Sequence, residues 1–256
     1  MTRSLHAPAN PDRQRSASGS KEAARPASSL TEHVYRELRE AIVSLKLAPG
    51  TSISEAGLSR RFGGSRTPVR PALERLEREG LLAKSGSGAK RRLAVAPLTA
   101  SDMRQLFQMV GALNGLAARL AAQLPDEPRR QLVDELRRIN GDLKKVAHAG
   151  HVDVCHVEEL DSAFHRAYEL VTDSPRLVLE LESLGARRTR YVRVYTEALA
   201  HAGNLRESVL EHAAILEALA AGDPERAEQC AGFNYRKALE RFGRALQSSG
   251  ERGTWF

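Results

Sequence analysis

Apolar residues in the first third of the chain recur at helical spacing and predict two short helices. In the stretch TEHVYRELREAIVSLKL, which starts at Thr31, the apolar side chains lie three or four residues apart, and Pro49-Gly50 ends the pattern. A second, shorter helix, with Leu58 and Phe62 on its apolar side, is predicted before Gly63-Gly64.

A third helix and a hairpin follow in the sequence. Thr67 is predicted as the N-cap, Pro68 as the first helical residue and Gly80 as the residue after the C-cap. Leu81-Leu82 and Leu93-Ala94-Val95 flank SGSGAKRR, a pattern that predicts a two-stranded hairpin with a flexible basic tip. Three short helices followed by a basic hairpin indicate a winged helix-turn-helix.

The rest of the chain has a helical pattern to its end. Pro and Gly residues separate six predicted helices, over residues 101–123, 126–148, 154–172, 174–199, 204–221 and 223–247. Six helices of this length can bury one shared core as an antiparallel bundle. The predicted fold is therefore mainly α, with an N-terminal winged helix-turn-helix followed by an antiparallel six-helix bundle.

Positive charge is concentrated before the predicted bundle. The whole chain carries a net charge of +7; residues 1–29 carry +3, residues 30–98 carry +6 and residues 99–256 carry −2. A basic module joined to a mildly acidic one indicates that the first meets a polyanion and the second has another task.

These patterns divide the chain into four parts. We expect a disordered basic tail over 1–29, the winged helix-turn-helix over 30–97, the helical domain over 98–248, and a C-terminal tail over 249–256. No apolar run approaches the roughly 20 residues that a membrane span needs, and no signal-peptide pattern opens the chain. The two cysteines match no metal or disulfide spacing. A cytoplasmic protein without a membrane partner is expected.

The start of the third helix has the side chains of a DNA-reading element. Arginine suits guanine edges and phosphate, and a helix N-terminus offers free N–H groups to an anion. The predicted DNA contacts of this helix and of the hairpin tip are Ser65, Arg66, Thr67, Arg70, Lys90, Arg91 and Arg92. The alternative is a solvated basic face on a small helical domain.

The helical domain contains a candidate metal site. In LDSAFHRAYEL, Asp161 and His165 are four residues apart and so share one helical face, and His212 lies on another helix of the bundle. One carboxylate and two imidazoles suit Zn²⁺, Ni²⁺ or Mn²⁺. The alternatives are a hydrogen-bonded Asp–His pair or a surface pair. Tyr235 is expected to be an ordinary boundary aromatic.

The segment LREAIVSLKLAPGTSISEAGLSRRFGGSRTPVRPALERLEREGLL closely resembles the winged helix-turn-helix of GntR-type bacterial regulators, over about residues 30–97. The resemblance implies that Arg66, Thr67 and Arg70 contact DNA and that Ser65 binds a phosphate. Ala56 departs from the family, because many fatty-acid-responsive members (the FadR group) have a DNA-contacting arginine there. Pro71 stands where glutamate is common, and so changes the local charge.

The motifs D-x-x-F-H and H-x-x-I-L-x-A-L-x-x-G-D resemble the FCD effector domain of the FadR-type branch. In that family the Asp and two His residues of these motifs hold a metal, and a third His, on the last helix, is the fourth ligand. Here the first three are Asp161, His165 and His212, and the fourth position falls on Asn234. An amide oxygen is a weaker and harder ligand than imidazole.

The same resemblance bears on the effector. Many relatives have an arginine and a glutamate on the first helix of this domain, and that arginine commonly binds the ligand carboxylate, but here those positions are Val110 and Asn114. We expect an inward-facing arginine among Arg187, Arg190 and Arg193 to supply the anion anchor, the alternative being a solvated basic face.

The sequence thus predicts a ligand-responsive regulator. We expect a homodimeric repressor that binds a short palindrome in double-stranded DNA, with recognition helices roughly 34–36 Å apart, and that a small organic acid or related metabolite releases. The competing class is a metal-dependent enzyme on the same cluster, for which the sequence offers neither a general base beside the metal nor a phosphate loop.

Overall fold

The computed structural model describes residues 27–63, 65–86, 92–149, 152–199 and 205–252. In these ranges the chain forms nine helices and one antiparallel pair of strands. In chain order they are α1 (Ala27–Val43), α2 (Glu55–Arg61), α3 (Val69–Arg78), β1 (Leu82–Ser85), β2 (Arg92–Val95), α4 (Ala100–Ala122), α5 (Asp126–Ala147), α6 (Val154–Leu170), α7 (Pro175–Leu199), α8 (Leu205–Ala221) and α9 (Pro224–Ser249). Among the described residues, no helix is long and apolar enough to cross a membrane.

The first three helices and the strand pair share one core. Val34, Leu38 and Ile42 of α1 are buried against Val69 and Leu76 of α3, as their spacing predicts. Helix α1 begins at Ala27, inside the segment predicted as a tail. Most of that tail, residues 1–26, lies outside the described residues.

Helix α3 begins one residue later than predicted. Pro68 rather than Thr67 precedes its first helical residue, Val69. The Ser65 hydroxyl accepts the Thr67 N–H at 3.3 Å, and the Arg66 carbonyl accepts the N–H of Val69 at 3.2 Å. The predicted N-cap is wrong because the turn before the helix uses Ser65, two residues earlier, as its acceptor.

The other end of α3 follows the prediction. Gly80 has a φ of +69°, and its N–H bonds to the Glu77 carbonyl while the Leu81 N–H bonds to the Leu76 carbonyl. This pair of bonds is a Schellman motif, which requires a left-handed residue at the position of Gly80. A Cβ on Gly80 would lie 3.1 Å from Cδ of Arg187 in α7, so the helix end also abuts the bundle.

The strands pair in the predicted places, with Leu82 opposite Val95 and Ser85 opposite Arg92. The chain before α2 adds to the same sheet, because Ile53 donates to Leu93 at 2.8 Å. The predicted basic tip, including Lys90 and Arg91, lies outside the described residues.

Helices α4 to α9 form the predicted bundle, and their bounds agree with the sequence to within about two residues at each end. Asp223 caps α9 by accepting the Arg226 N–H at 3.0 Å. The core is continuous from Leu98 to Leu246 and contains large side chains such as Phe164 and Tyr168.

The segment between the two cores has a backbone partner near the C-terminus. Leu98 and Arg252 exchange N–H···O bonds of 2.8 and 3.1 Å, and Glu251 accepts the Ala100 N–H at 2.8 Å. Residues 251 and 252, predicted as part of a tail, therefore hold the segment that connects the two parts.

Replacing Gly80 tests whether its positive φ and its contact with Arg187 make it more important for stability than a glycine inside a helix. We expect Gly80→Ala to lower the free energy of unfolding by about 1–2 kcal/mol, because an L-residue is strained at positive φ and its Cβ meets Arg187. Denaturant titration measures the change. The matched control is Gly141→Ala in α5, whose Cβ meets nothing within 4 Å and which should stabilise the protein by up to about 1 kcal/mol. Equal effects of the two substitutions would contradict this account.

Candidate DNA-binding surface and metal site

The residues predicted to contact DNA lie together on the surface at the start of α3. Ser65, Arg66, Thr67 and Arg70 are all exposed, whereas the neighbouring Val69 is fully buried. Arg70 has 72% of its side chain exposed and lies 4.0 Å from Glu74. Among the described residues, no acid lies within ion-pair distance of Arg66. The burial of Val69 thus turns the polar edge of this helix start outward.

The described part of the hairpin contains two exposed cations, Arg92 and Lys84. Arg92, at the start of β2, is exposed, and it is the part of the predicted basic tip that the structure describes. Lys84 of β1 forms a 2.9 Å ion pair with Glu77 of α3. This pair ties the hairpin to the helix whose N-terminal edge is exposed.

The predicted metal ligands converge in the bundle. One ligand atom from each of Asp161, His165 and His212 lies within 4.8 Å of the others. Asp161 and His165 face inward from α6, and His212 approaches from α8 with its Nε2 atom 3.6 Å from Asp161 Oδ1. The His212 ring stacks on Phe164 with centroids 4.0 Å apart. The packing of the bundle therefore assembles the three side chains that the motifs indicated.

The ring nitrogens of His212 are buried without a hydrogen-bond partner among the described residues. The whole residue is fully buried. Burial lowers the pKa of His212, and burial with the nearby His212 and Arg188 charges lowers the pKa of His165 further. Both rings are thus neutral at pH 7 and retain a lone pair. An orphaned buried imidazole beside a carboxylate is the arrangement that a divalent cation satisfies.

Asn234, the fourth predicted ligand, lines the same cavity from α9. Its Nδ2 donates to Glu211 at 2.8 Å, and Arg241 holds that carboxylate through bonds of 2.5 and 2.8 Å. Since the carboxylate can only accept, the amide nitrogen is committed to Glu211 and Oδ1 is the atom left to accept a bond or to bind a cation.

A small, partly open cavity lies beside the cluster. Its volume is about 50 Å³, and His165, Asn234, Arg188, Tyr235 and Arg241 are among its lining residues. One water occupies roughly 10–15 Å³ on this measure, so the cavity accommodates an ion with a few waters or a short polar group. Tyr235, expected at a boundary, is buried here.

Sequence reasoning missed Arg188, the arginine of α7 that enters this cavity. Arg188 donates to the Tyr235 hydroxyl. Burial lowers its pKa, but Tyr235, Asp161 and Glu169 together raise it above the ordinary value, so the guanidinium is charged. A signal existed in the sequence: Leu177, Leu181, Arg188 and Tyr191 occupy heptad-spaced positions, which places Arg188 on the apolar face of the helix.

The three arginines predicted as anion anchors do not line the cavity, and that placement is corrected. Arg187 pairs with Asp102 at 2.5 Å, and Arg193 makes a bidentate pair with Glu158. Arg190 is buried and donates to the Ala96 carbonyl. Each of these side chains leaves α7 on a face that meets another element rather than the cavity.

Helix α7 therefore contacts both parts of the molecule over a few consecutive residues. Ala186 is buried in the core of the winged helix-turn-helix, and Arg187 packs on Gly80 at the end of α3. The Tyr191 hydroxyl bonds to Thr99 and, at 2.8 Å, to Asp102 at the start of α4. Arg188, between these residues, faces the cavity.

Comparison with protein families agrees with this architecture. Residues 30–90 match the bacterial regulatory proteins of the gntR family, and residues 105–232 match the FCD domain. The chain belongs to the GntR family. Its strand pair and first three helices form the part matched to that family, and its helical bundle contains the FCD domain.

Curated relatives of this chain are named as transcription regulators. An HTH-type regulator from an unstable DNA locus of Streptomyces ambofaciens is 35% identical over 138 residues, which is 52% of this chain and 52% of that protein. YdhC of Bacillus subtilis is 29% identical over 54% of this chain and 58% of its own length, so this chain spans little more than half of either relative. The repressor RspR of Escherichia coli is 26% identical over 90% of this chain and 95% of that protein.

Solved structures share the fold. Escherichia coli McbR/YncC has a TM-score of 0.64 and 24% identity over 84% of this chain and 97% of that chain. A GntR regulator from Rhodococcus sp. RHA1 has a TM-score of 0.58 and 23% identity over 86% of this chain and 98% of that chain.

Proposed function

We propose that this regulator is a ligand-responsive repressor that acts as a homodimer and that a small organic acid, bound beside a metal in the bundle, releases from DNA. The observation that carries the proposal is the position of α7. Its Arg188 faces the cavity while its neighbour Arg187 packs on Gly80 at the end of α3. A ligand that displaces this stretch of α7 acts directly on the helix that reads DNA.

DNA recognition is assigned to the exposed start of α3. Arg66 and Arg70 supply guanidinium groups for base edges, and Ser65 and Thr67 supply polar groups for phosphate. Exposed apolar side chains, such as Met109 and Leu116 of α4 and Phe233 of α9, support burial against a second copy. Two copies related by a twofold axis read two half-sites about one DNA turn apart.

The metal is assigned to Asp161, His165 and His212, with Asn234 Oδ1 as a weaker fourth ligand. The orphaned nitrogens of His212 and the lone pairs on neutral imidazoles support this assignment. A bound divalent ion would supply positive charge for an anionic ligand. Zn²⁺ suits the imidazoles, and the oxygen ligands of Asp161 and Asn234 also suit Mn²⁺ or Ni²⁺.

The effector is assigned to the cavity between this cluster and Arg188. Arg188 lines this cavity and is charged, and its bond to Tyr235 leaves further N–H groups for a carboxylate. About 50 Å³ admits a short acid group and not a long chain. Arg188 thereby takes the place of the family arginine whose position is Val110 here.

Release from DNA follows from the contacts of α7 with its neighbours. A carboxylate on Arg188 competes with Tyr235 for its N–H groups, and a shift of this stretch changes the packing of Arg187 on Gly80 and of Arg190 on the linker. Such a shift alters the spacing of two recognition helices in a dimer. Because coupling is reciprocal, operator DNA weakens binding of the effector by the same factor.

The recognition helix is tested with DNA fragments that the wild-type protein selects from a random-sequence library. We expect the selected sites to contain two half-sites, and Arg66→Ala and Arg70→Ala each to weaken binding about 5- to 150-fold, since a bidentate base contact contributes about 1–3 kcal/mol. Fluorescence anisotropy measures the affinities. Arg137→Ala, which removes an exposed arginine of α5, is the control and should bind like wild type. Unchanged affinity in both α3 variants would show the assignment to be wrong.

The metal site is tested by elemental analysis after the purified protein is equilibrated with Zn²⁺ and desalted. We expect about one zinc per wild-type chain and little in Asp161→Ala or His212→Ala, because each loses a ligand. His156→Ala is the matched control, since His156 lies on α6 outside the cluster and is half-exposed. Equal zinc in wild type and His212→Ala would rule the site out.

The effector site is tested by a thermal-shift screen against small carboxylic acids. A ligand that binds the folded state stabilises it by about 2.7 kcal/mol at one hundred times its Kd. We expect Arg188→Gln to lose the shift that an acid gives with wild type, because the cation that lines the cavity is gone. Arg166→Gln, which removes an arginine of α6 paired with Glu182, should keep it. An undiminished shift in Arg188→Gln would contradict the proposed anchor.

A further inference from the structure

A chain of buried hydrogen bonds leads away from the metal cluster through α6 to α4. His165 Nδ1 lies 2.7 Å from the Tyr168 hydroxyl, which donates to Asn114 Oδ1 at 2.8 Å. Asn114 Nδ2 in turn donates to the Val110 carbonyl at 3.3 Å. All three side chains are buried, with Asn114 and Tyr168 at 0% exposure.

The Val110 carbonyl, the last acceptor in this series of hydrogen bonds, determines which atom donates in each of them. A backbone carbonyl only accepts, so the Asn114 nitrogen must point to Val110 and its oxygen to Tyr168. Burial raises the pKa of the nearby Glu169 carboxyl, and the Arg188 charge and then the Asn114 side chain lower it, as an amide nitrogen turned toward that carboxyl does. The Val110 carbonyl and the Glu169 carboxyl thus favour the same orientation of the Asn114 amide.

The same reasoning identifies the donor in the bond between Tyr168 and His165. Because Asn114 Oδ1 takes the Tyr168 proton, the hydroxyl oxygen is free only to accept a bond from His165. His165 Nδ1 must therefore hold the ring proton, and Nε2 carries the lone pair. Nε2 is the nitrogen left for the cavity that His165 lines with Asp161.

We propose that Tyr168 and Asn114 are positioning residues that lock His165 in its Nδ1–H tautomer, so that Nε2 is presented to a divalent cation. The inference rests on the metal site of the proposed function and adds residues to it that the ligand motif does not contain. Metal-bound histidines generally donate their second N–H to such a partner, which orients the ring and raises its basicity. In this chain Asn114 acts on His165 through the Tyr168 hydroxyl.

The tautomer is measured in the full-length, metal-free protein by ¹⁵N–¹H correlation spectra of the imidazole rings. We expect wild-type His165 to show a protonated Nδ1 and an unprotonated Nε2. Asn114→Leu removes the acceptor for the Tyr168 proton, so the hydroxyl turns to donate to Nδ1 and the proton moves to Nε2. Tyr168→Phe removes the partner altogether and gives a mixture of tautomers. A protonated Nε2 in wild type would overturn the proposal.

Zinc affinity is measured in parallel by competition with a chromophoric chelator. We expect Tyr168→Phe and Asn114→Leu to weaken zinc binding about 10- to 100-fold. Tyr191→Phe is the control, because its hydroxyl bonds to the linker rather than to the cluster, and it should bind zinc like wild type. Variants with wild-type tautomer and affinity would overturn the positioning role. Absence of zinc binding in the wild type would instead contradict the metal site, and the spectra would still report the bond direction.

Discussion

The buried guanidinium of Arg190 holds the junction on which the two halves of this regulator depend. It donates to the Ala96 carbonyl, and burial lowers its pKa to about 10, which leaves it charged at neutral pH. Its Nε atom has no partner among the described residues. A buried charge with few partners is costly, and this one is retained because the linker carbonyl would otherwise be buried without a donor. The orientation of α7 against the linker is therefore fixed by electrostatics as well as by packing.

The other arginine side chains of α7 point toward different parts of the molecule. Arg187 pairs with Asp102 beside the end of α3, Arg193 pairs with Glu158 of α6, and Arg188 enters the cavity. Three arginines that are close in sequence therefore contact three different environments, because successive residues of a helix differ by about 100° in direction. In the proposed function this geometry makes α7 both the wall of the effector cavity and the support of the recognition helix.

Helical periodicity in the sequence predicted the order and bounds of the helices, because the burial of one face dominates their stability. Local chemistry explains where prediction was less accurate. The N-cap of α3 was misplaced because the helix begins at Val69, after Pro68, and the Ser65 hydroxyl rather than that of Thr67 accepts a backbone N–H in the preceding turn. The interior position of Arg188 was readable from its place among Leu177, Leu181 and Tyr191, but the inward-facing arginine was expected at Arg187, Arg190 or Arg193, which contact other elements. No local pattern indicates that Tyr168 and Asn114 meet, because they are distant in sequence and only the packing of α4 on α6 joins them.

The pairing of residues 251 and 252 with residues 98–100 has a consequence for synthesis on the ribosome. The core of the winged helix-turn-helix is drawn almost wholly from residues 34–95, so it can form early, as domains near the N-terminus generally do. The linker strand at Leu98 obtains its backbone partner only after Arg252 has emerged, more than 150 residues later. During this interval the two domains are joined by an unpaired segment. The core of the winged helix-turn-helix can thus form before the contacts that join it to the bundle are complete.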